Sequence, residues 1–488
     1  MKFIVRLFSE ITVKSPPVRK RMTRQLVENL RILLKRIDAK ARVSQDWDRI
    51  DVEFPGTDAE VRREIAGVLT RVPGVAKVAS IHESAFLSLD DVYEQAAAIW
   101  LERLAGKTFC VRVKRQGKHT FSSTDAERYI GGLLNQYSDA IGVKLDSPDV
   151  IVPIEIKDSH AYIVERYDKG LGGFPIGTQG EVLSLMSGGF DSTVASFLSI
   201  KRGLRTHYCF FNLGGKAHEL GVKELAFYLW HRFGASHRVK FFTVPFDQVV
   251  AEILQKVDPS CMGVILKRMM LRAASQIAVR GQYEALVTGE AVAQVSSQTL
   301  INLSIIDRVT DALVIRPLAF SHKEEIIATA KAIGTESFSA EMPEYCGVIS
   351  VRPSAKLRLD RVEVEEAKMN QELLDDALER TVVRLIDEVM EDVREGSEKV
   401  DRIATLVHND IVIDIRHPDE KKGSLLEMDD LTSMHIPFYS LNKEFPKLDK
   451  LKRYLLYCDK GVMSELHASH LLAEGYRNVA VYRPDLAD

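Results

Sequence analysis

Nowhere in this 488-residue chain do two cysteines form a C-x-x-C pair, and the five present (Cys110, Cys209, Cys261, Cys346, Cys458) are widely spaced and odd in number. That pattern excludes a disulfide scaffold and a cysteine-built zinc site. None of the 13 histidines has metal-ligand spacing with the cysteines, so no structural or tightly bound metal is expected. No run approaches the roughly 18 apolar residues that cross a bilayer, and the N-terminus lacks a basic start with an apolar core and cleavage site. A cytoplasmic protein without a membrane role is the expectation. Net charge is also nearly absent, 66 basic residues against 69 acidic giving −3. Acid is missing locally, however. From Arg103 to Ser123 the residues Arg103, Lys107, Arg112, Lys114, Arg115 and Lys118 occur with no Asp or Glu between them, which makes a candidate anion-binding face.

At about 100–200 residues per domain the length predicts three or four domains. Residues 1 to about 60 alternate strand-like runs (Lys2 to Phe8, Arg49 to Phe54) with an amphipathic helix around Thr23 to Ile37, a small α+β module. Helices are expected at Glu60 to Thr70, Leu89 to Ala105 and Ala126 to Leu134. Strands are expected at Val75 to Glu83, Thr108 to Lys114, Ile151 to Ile156 and Ala161 to Tyr167. Gly170 to Pro175 reads as a linker or turn. From Glu181 to about Pro317 short apolar strands alternate with helices, which argues a parallel sheet with ligands at the carboxyl ends of its strands. Residues about 355 to 400 are charged, lack glycine until Gly396 and read as a bridging helix, and a last unit begins near Ile403.

Ser187-Gly188-Gly189-Phe190-Asp191-Ser192 follows the apolar run EVLSLM and precedes a helical pattern. Glycines there let the backbone turn so that successive N–H groups and a helix N-terminus face one anion. Ser187 and Ser192 add hydroxyls, and Asp191 could hold magnesium or orient phosphates. The segment is neither a Walker loop nor a GxGxxG fingerprint. A second signal is Cys458, placed after the strand-like Tyr454 to Tyr457 and before a helix. A free thiol has a pKa of ~8.5, so lowering it by two units takes about 2.7 kcal/mol of preferential thiolate stabilisation. A helix N-terminus supplies ~0.3–1 kcal/mol. Loop N–H donors around the sulfur, with Lys460, would have to supply the rest. A lone cysteine ending a strand is more commonly a buried inert thiol, and Cys110 and Cys209 read that way, while Cys261 has no assigned role.

The Ser187–Ser192 segment resembles the SGGxDS loop of the PP-loop ATP pyrophosphatases, which split ATP into AMP and pyrophosphate. Ile411 to Pro418 (IVIDIRHP), with Asp414 and Arg416, followed roughly 40 residues later by the Cys458 loop, is similar to the rhodanese-type sulfurtransferases. The departure is Met463, where thiosulfate-using loops commonly carry a basic residue, which favours a protein sulfur donor. Gly106 to Ser122 resembles the THUMP domain of RNA-modifying enzymes, and Glu344-Tyr345-Cys346-Gly347-Val348 supplies a fourth match. In this order the motifs resemble the long form of the tRNA 4-thiouridine synthase family along essentially the whole chain.

The resemblance implies an α/β multidomain fold: a ferredoxin-like unit at 1–62, a THUMP domain at 63–167, a parallel-sheet PP-loop domain at 178–395 and a rhodanese domain at 406–488. It implies adenylation of uridine at the eighth position of tRNA by ATP with Mg2+, then transfer of persulfide sulfur from Cys458, with Cys346 closing a transient disulfide. Nucleotide contacts would come from Leu185, Met186, Ser187, Gly188, Gly189, Asp191, Ser192, Lys267, Gly289 and Gln298, with Lys323 facing the substrate. Implied partners are tRNA, a cysteine desulfurase, the thiamine-pathway sulfur carrier protein and a second copy of the chain in a homodimer. Two other readings stay open. One is a PP-loop enzyme that attaches an amino group to RNA or a nucleotide, with Cys346 and Cys458 idle. The other is an RNA-binding or sulfur-carrier protein whose nucleotide loop is vestigial.

Overall fold

The computed structural model describes residues 2–45, 49–56, 58–213, 216–342, 352–390, 400–407, 410–416, 432–437, 441, 444–458, 462–473 and 475–484. It divides into two compact units, Met1–Pro175 and Ile176–Asp488. No helix among the described residues is long and apolar enough to cross a membrane.

The first unit is built on one eight-stranded sheet, ordered Arg42–Gln45, Arg49–Glu53, Lys2–Leu7, Val75–Ala85, His160–Gly172, Val150–Lys157, Thr108–Gln116, Gly142–Val143. Val75–Ala85 joins its two halves, pairing antiparallel with Lys2–Leu7 on one edge and with His160–Gly172 on the other. Helices Pro16–Leu34 and Ala59–Thr70 bury Leu26, Leu30, Ile65 and Leu69 against Phe3 and Val52. Helices Leu89–Trp100 and Ser123–Tyr137 start at capping boxes, Ser88 with Asp91 and Ser122 with Asp125, and pack on a second core around Phe109 and Val152. Gly170 to Pro175, expected as a break, instead carries the strand on to Gly172. Gly170 makes this possible, since a Cβ there would lie 2.8 Å from the Val75 carbonyl carbon.

Among the described residues the second unit holds two sheets. The first runs Leu313–Ile315, Ala285–Val287, Glu181–Leu185, Arg205–Asn212, Lys240–Pro245, Val382–Leu385. Its first five strands are parallel, as the apolar alternation predicts. The chain winds outward from Glu181–Leu185 to Lys240–Pro245, then crosses back to add Ala285–Val287 on the other side. The reversal therefore lies between Glu181–Leu185 and Ala285–Val287, where a crevice opens at the carboxyl ends of the strands. The expected bridging helix is not one helix. Residues Leu359–Glu366 and Glu372–Glu379 form two short helices, and Val382–Leu385 is an antiparallel edge strand against Lys240–Pro245. Charge made this stretch look helical, but the β-branched Thr381-Val382-Val383 gives the backbone to the sheet. The second sheet is all parallel, ordered Arg402–Ile403, Val479–Tyr482, Arg453–Tyr457, Asp410–Asp414, Thr432–His435.

Candidate functional site

The strand Glu181–Leu185 is central and carries Val182 and Leu183 inward, each worth roughly 1.5–3 kcal/mol of burial. It ends in Met186, whose amide still donates to the Cys209 carbonyl at 2.8 Å. The backbone then turns. Gly188 has φ +88°, a conformation costly for any other residue, and a Cβ there would press on Met342 and Val222 at 3.1 Å. The helix Phe190–Lys201 begins at once, with Gly189 as its N-cap. Ser192 Oγ draws the loop together: it donates to the Gly189 carbonyl at 3.1 Å, accepts the Ser187 amide at 3.2 Å and lies 3.1 Å from Ser187 Oγ. His218 Nε2 caps the Ser187 carbonyl at 2.9 Å. Burial lowers the His218 pKa against the opposing pull of that carbonyl. Serine hydroxyls, glycine turn and helix N-terminus thus converge on one corner, an arrangement suited to an anion.

Across the crevice, Gly289 follows the end of Ala285–Val287 and comes directly against the helix start, with the Asp191 carbonyl carbon 2.5 Å from where a Cβ would be. Asp191 accepts Lys323 Nζ at 2.8 Å and Gln294 Nε2 at 2.7 Å. Glu290, buried, receives Lys267 Nζ at 2.8 Å on one oxygen and Arg316 Nε at 2.8 Å on the other. Arg316 is forked onto Asp307 at 2.6 and 2.8 Å. Burial raises the Glu290 pKa, but Lys267 and Arg316 outweigh it and hold the carboxyl below its ordinary range. Gln298 sits in a tight turn with Ala293 at φ +66°, and its buried Oε1 has no hydrogen-bond partner among the described residues.

The structure therefore gathers Ser187, Gly188, Gly189, Asp191, Ser192 and Gly289 at one corner, adds Lys323 through Asp191, and links Lys267 through Glu290. Leu185, half-buried, and Met186 floor the strand end, and Gln298 lines the neighbouring turn. Glu290, Arg316, Gln294 and His218 were not singled out from sequence. Only Glu290 had a local signal, as the neighbour of Gly289 in Thr288-Gly289-Glu290.

Cys458 lies at the end of Arg453–Tyr457, before the helix Val462–Ala473, and is 7% exposed. The Ser464 amide donates to its sulfur at 3.3 Å, and Ser464 Oγ lies 3.4 Å away. Behind it, Arg416 forks onto Asp414 at 3.0 and 2.8 Å and stacks over the Tyr457 ring at 5.2 Å, which fixes the residue before the cysteine. Lys460, Cys346 and the side chain of Met463 lie outside the described residues. Cys209 is fully buried, and burial pushes its thiol far up, as for a core residue. Cys110 and Cys261 are buried as well, and Cys261 is the N-cap of the helix Met262–Gly281.

In the first unit, Thr108–Gln116 turns Val111 and Val113 inward and Arg112 and Lys114 outward. Lys77 lies near Lys114 and Arg6, and its pKa is lowered by burial and then by those two cations. Arg103 leaves this face: it pairs with Glu165 at 3.0 Å, where Arg62 at 2.9 Å and His82 also converge. The acid-free run in sequence is thus two surfaces in space.

Family models match along the chain: the ThiI ferredoxin-like domain over residues 2–79, the THUMP domain over 87–164, the thiamine biosynthesis protein (ThiI) over 177–371 and the rhodanese-like domain over 395–486. A tRNA sulfurtransferase of Saccharophagus degradans is 57% identical over 484 residues, covering 99% of this chain and 100% of that protein. One from Shewanella loihica is 51% identical with the same coverage. Among solved structures, a 4-thiouridine synthetase in complex with RNA and bound ATP shares the fold, with a TM-score of 0.70 and 24% identity over 79% of this chain and 99% of that one. PH1313 from Pyrococcus horikoshii follows at a TM-score of 0.53 and 20% identity, over 68% and 100%. With relatives this similar over their full length, the chain belongs to the tRNA sulfurtransferase family.

Proposed function

We propose that this protein uses ATP to adenylate uridine at the eighth position of tRNA and then delivers persulfide sulfur from Cys458 to form 4-thiouridine. The observation that carries the ATP half is the corner where the Ser187–Ser192 turn, the helix N-terminus and Gly289 meet at the sheet's reversal point. AMP makes the uracil oxygen a leaving group, which a bare carbonyl oxygen is not, and sulfur then displaces it. Leu185 and Met186 would face adenine, Lys267 would reach the phosphates, and the buried Gln298 Oε1 is an acceptor that a nucleotide could complete. Asp191, a carboxylate at the phosphate corner, suits a Mg2+ that would accompany ATP and neutralise its phosphate charge.

The Ser464 amide at the Cys458 sulfur supports the sulfur half, because an N–H donor stabilises a thiolate or persulfide anion. The outer persulfide sulfur would displace AMP while still bonded to the Cys458 sulfur, and the Cys346 thiolate would then attack the Cys458 sulfur, breaking that S–S bond so that the outer sulfur leaves on the uridine and a Cys346–Cys458 disulfide remains for cellular reductant to reopen. A cysteine desulfurase would load Cys458, and the same persulfide would serve the thiamine-pathway sulfur carrier protein. The basic strand would dock tRNA, two copies of the chain would share it, and the reaction would run in the cytoplasm. The domain bounds that go with this reading are 1–62, 63–167, 178–395 and 406–488.

The test is to incubate unmodified tRNA with the protein, ATP-magnesium, cysteine and a cysteine desulfurase. A near-ultraviolet thiouridine band that requires ATP and vanishes in Cys458→Ser is the expected result. A band that survives in Cys458→Ser, or AMP release with no band in the wild type, would overturn the sulfur route.

A further inference from the structure

Glu290 is a buried carboxylate with a cation on each oxygen, set one residue past the glycine that touches the phosphate corner. Its two cationic partners come from different elements. Lys267 belongs to the helix Met262–Gly281, and Arg316 follows the strand Leu313–Ile315. Arg316 is in turn forked onto Asp307 of the helix Leu300–Asp307, whose N-cap Thr299 follows Gln298. Thr288 Oγ1 adds a hydrogen bond to Glu290 at 3.2 Å. The charges alternate along the chain of pairs, Lys267, Glu290, Arg316, Asp307.

Lys267 would lose several rotamers' worth of freedom on meeting a phosphate unless something already held it. Its ammonium is 2.8 Å from Glu290 Oε1 while its side chain stays 19% exposed, so it is held by one partner and open to another. Arg316 has two anions and Lys267 has one, so the spare donor capacity lies on the lysine.

We infer that Glu290 is a positioning residue of the nucleotide site: it pre-orients Lys267 toward the phosphates. The inference rests on the ATP reading above. A bystander carboxylate would have the opposite effect. Removing a negative charge beside an anion site leaves phosphate affinity equal or higher, whereas removing a positioning group lowers it.

The experiment is titration of the full-length protein with α,β-methylene ATP and Mg2+, with the melting temperature of each variant recorded. Wild type binds, and Lys267→Met and Glu290→Gln each weaken binding about tenfold, the reduction expected for one charged hydrogen bond. In the Lys267→Met background Glu290→Gln costs less than about twofold more, because the two act through one contact. A purely structural role gives the same reduction in both backgrounds and overturns the inference, as does unchanged or tighter binding by Glu290→Gln. Where Glu290→Gln does not fold, Glu290→Asp carries the test: it keeps the charge but withdraws it by one methylene, and undiminished binding again overturns the inference. Failure of the wild type to bind removes the ATP reading itself, and this inference with it.

Discussion

Gly289 and Ser192 meet backbone to backbone. A Cβ on Gly289 would lie 2.5 Å from the Asp191 carbonyl carbon and closer still to the Ser192 nitrogen, with no flexible side chain in between to yield. Gly289→Ala must push the turn after Ala285–Val287 away from the start of Phe190–Lys201, which are the two lips of the crevice. Overpacking of this kind costs about 1–3 kcal/mol. The expected outcome is a lowered melting temperature and an ATP affinity reduced by more than that stability change would cause in the folded fraction. Calorimetric titration of the variant checks it, and wild-type affinity would show that the two lips do not form one site.

Asp191 is different, because it is accessible and holds exposed partners. Lys323 and Gln294 both reach it from the crevice rim, and its side chain is 22% exposed. Replacing such a residue usually shifts stability by no more than about 0.5 kcal/mol. Asp191→Ala is therefore expected to fold and melt like wild type while AMP release in the presence of tRNA falls to background. Circular dichroism melts and an AMP assay on one preparation separate the two effects, and sustained AMP release would remove Asp191 from the chemistry.

Arg112 and Lys114 project from one face of Thr108–Gln116, whereas Arg103 is engaged by Glu165. Arg112 and Lys114, with the exposed Arg115, are expected to contribute to backbone docking of tRNA, and Arg103 is not. Removing one cation that neutralises a phosphate lowers the slope of log affinity against log salt by about one. Arg112→Ala/Lys114→Ala is expected to flatten the slope by about two, and Arg103→Ala to leave it nearly unchanged. Filter binding of tRNA across a salt series reads this out, and equal slopes for all variants would argue against the strand as the docking face.

The parts of the fold legible in sequence were those whose signals are local. Glu181–Leu185 and its loop announce themselves through an apolar run leading to two glycines, and Thr108–Gln116 through the apolar and basic alternation of Val111 to Lys114. Val382–Leu385 was missed because an edge strand with three exposed residues has no apolar face to display. The site divides in the same way. The Ser187–Ser192 corner is contiguous and readable, but Glu290 gains its meaning from Lys267, 23 positions back, and Arg316, 26 positions on. Arg103 likewise looked like part of a basic run until folding brought Glu165, 62 residues away, beside it.

At the opposite end of the six-stranded sheet, His207 is held neutral by burial, against the pull of Glu181. Its Nδ1 accepts the Lys240 amide at 3.0 Å, so that nitrogen cannot carry a proton, and Nε2–H faces Glu181 Oε2 at 2.9 Å. Tyr283 stacks on the ring at 4.4 Å. Burial pushes the His207 pKa down to about 4, with Arg205 and Lys240 adding to it and Glu181 opposing. Because the folded value lies below the ordinary value of 6.5, the unfolded chain binds this proton first. The stability contributed is complete above that ordinary value and drains away as pH falls toward 4, by up to roughly 3 kcal/mol. Glu181 works in the same direction at lower pH: burial raises its pKa, but His207 and Arg205 outweigh that and hold the carboxyl below its ordinary range. Urea unfolding midpoints are therefore expected to drop between pH 7 and pH 5. His207→Asn, whose Oδ1 keeps an acceptor for Lys240 but cannot titrate, should lower stability at pH 7 yet show a flatter decline. An equally steep decline in the variant would assign the acid sensitivity to other groups.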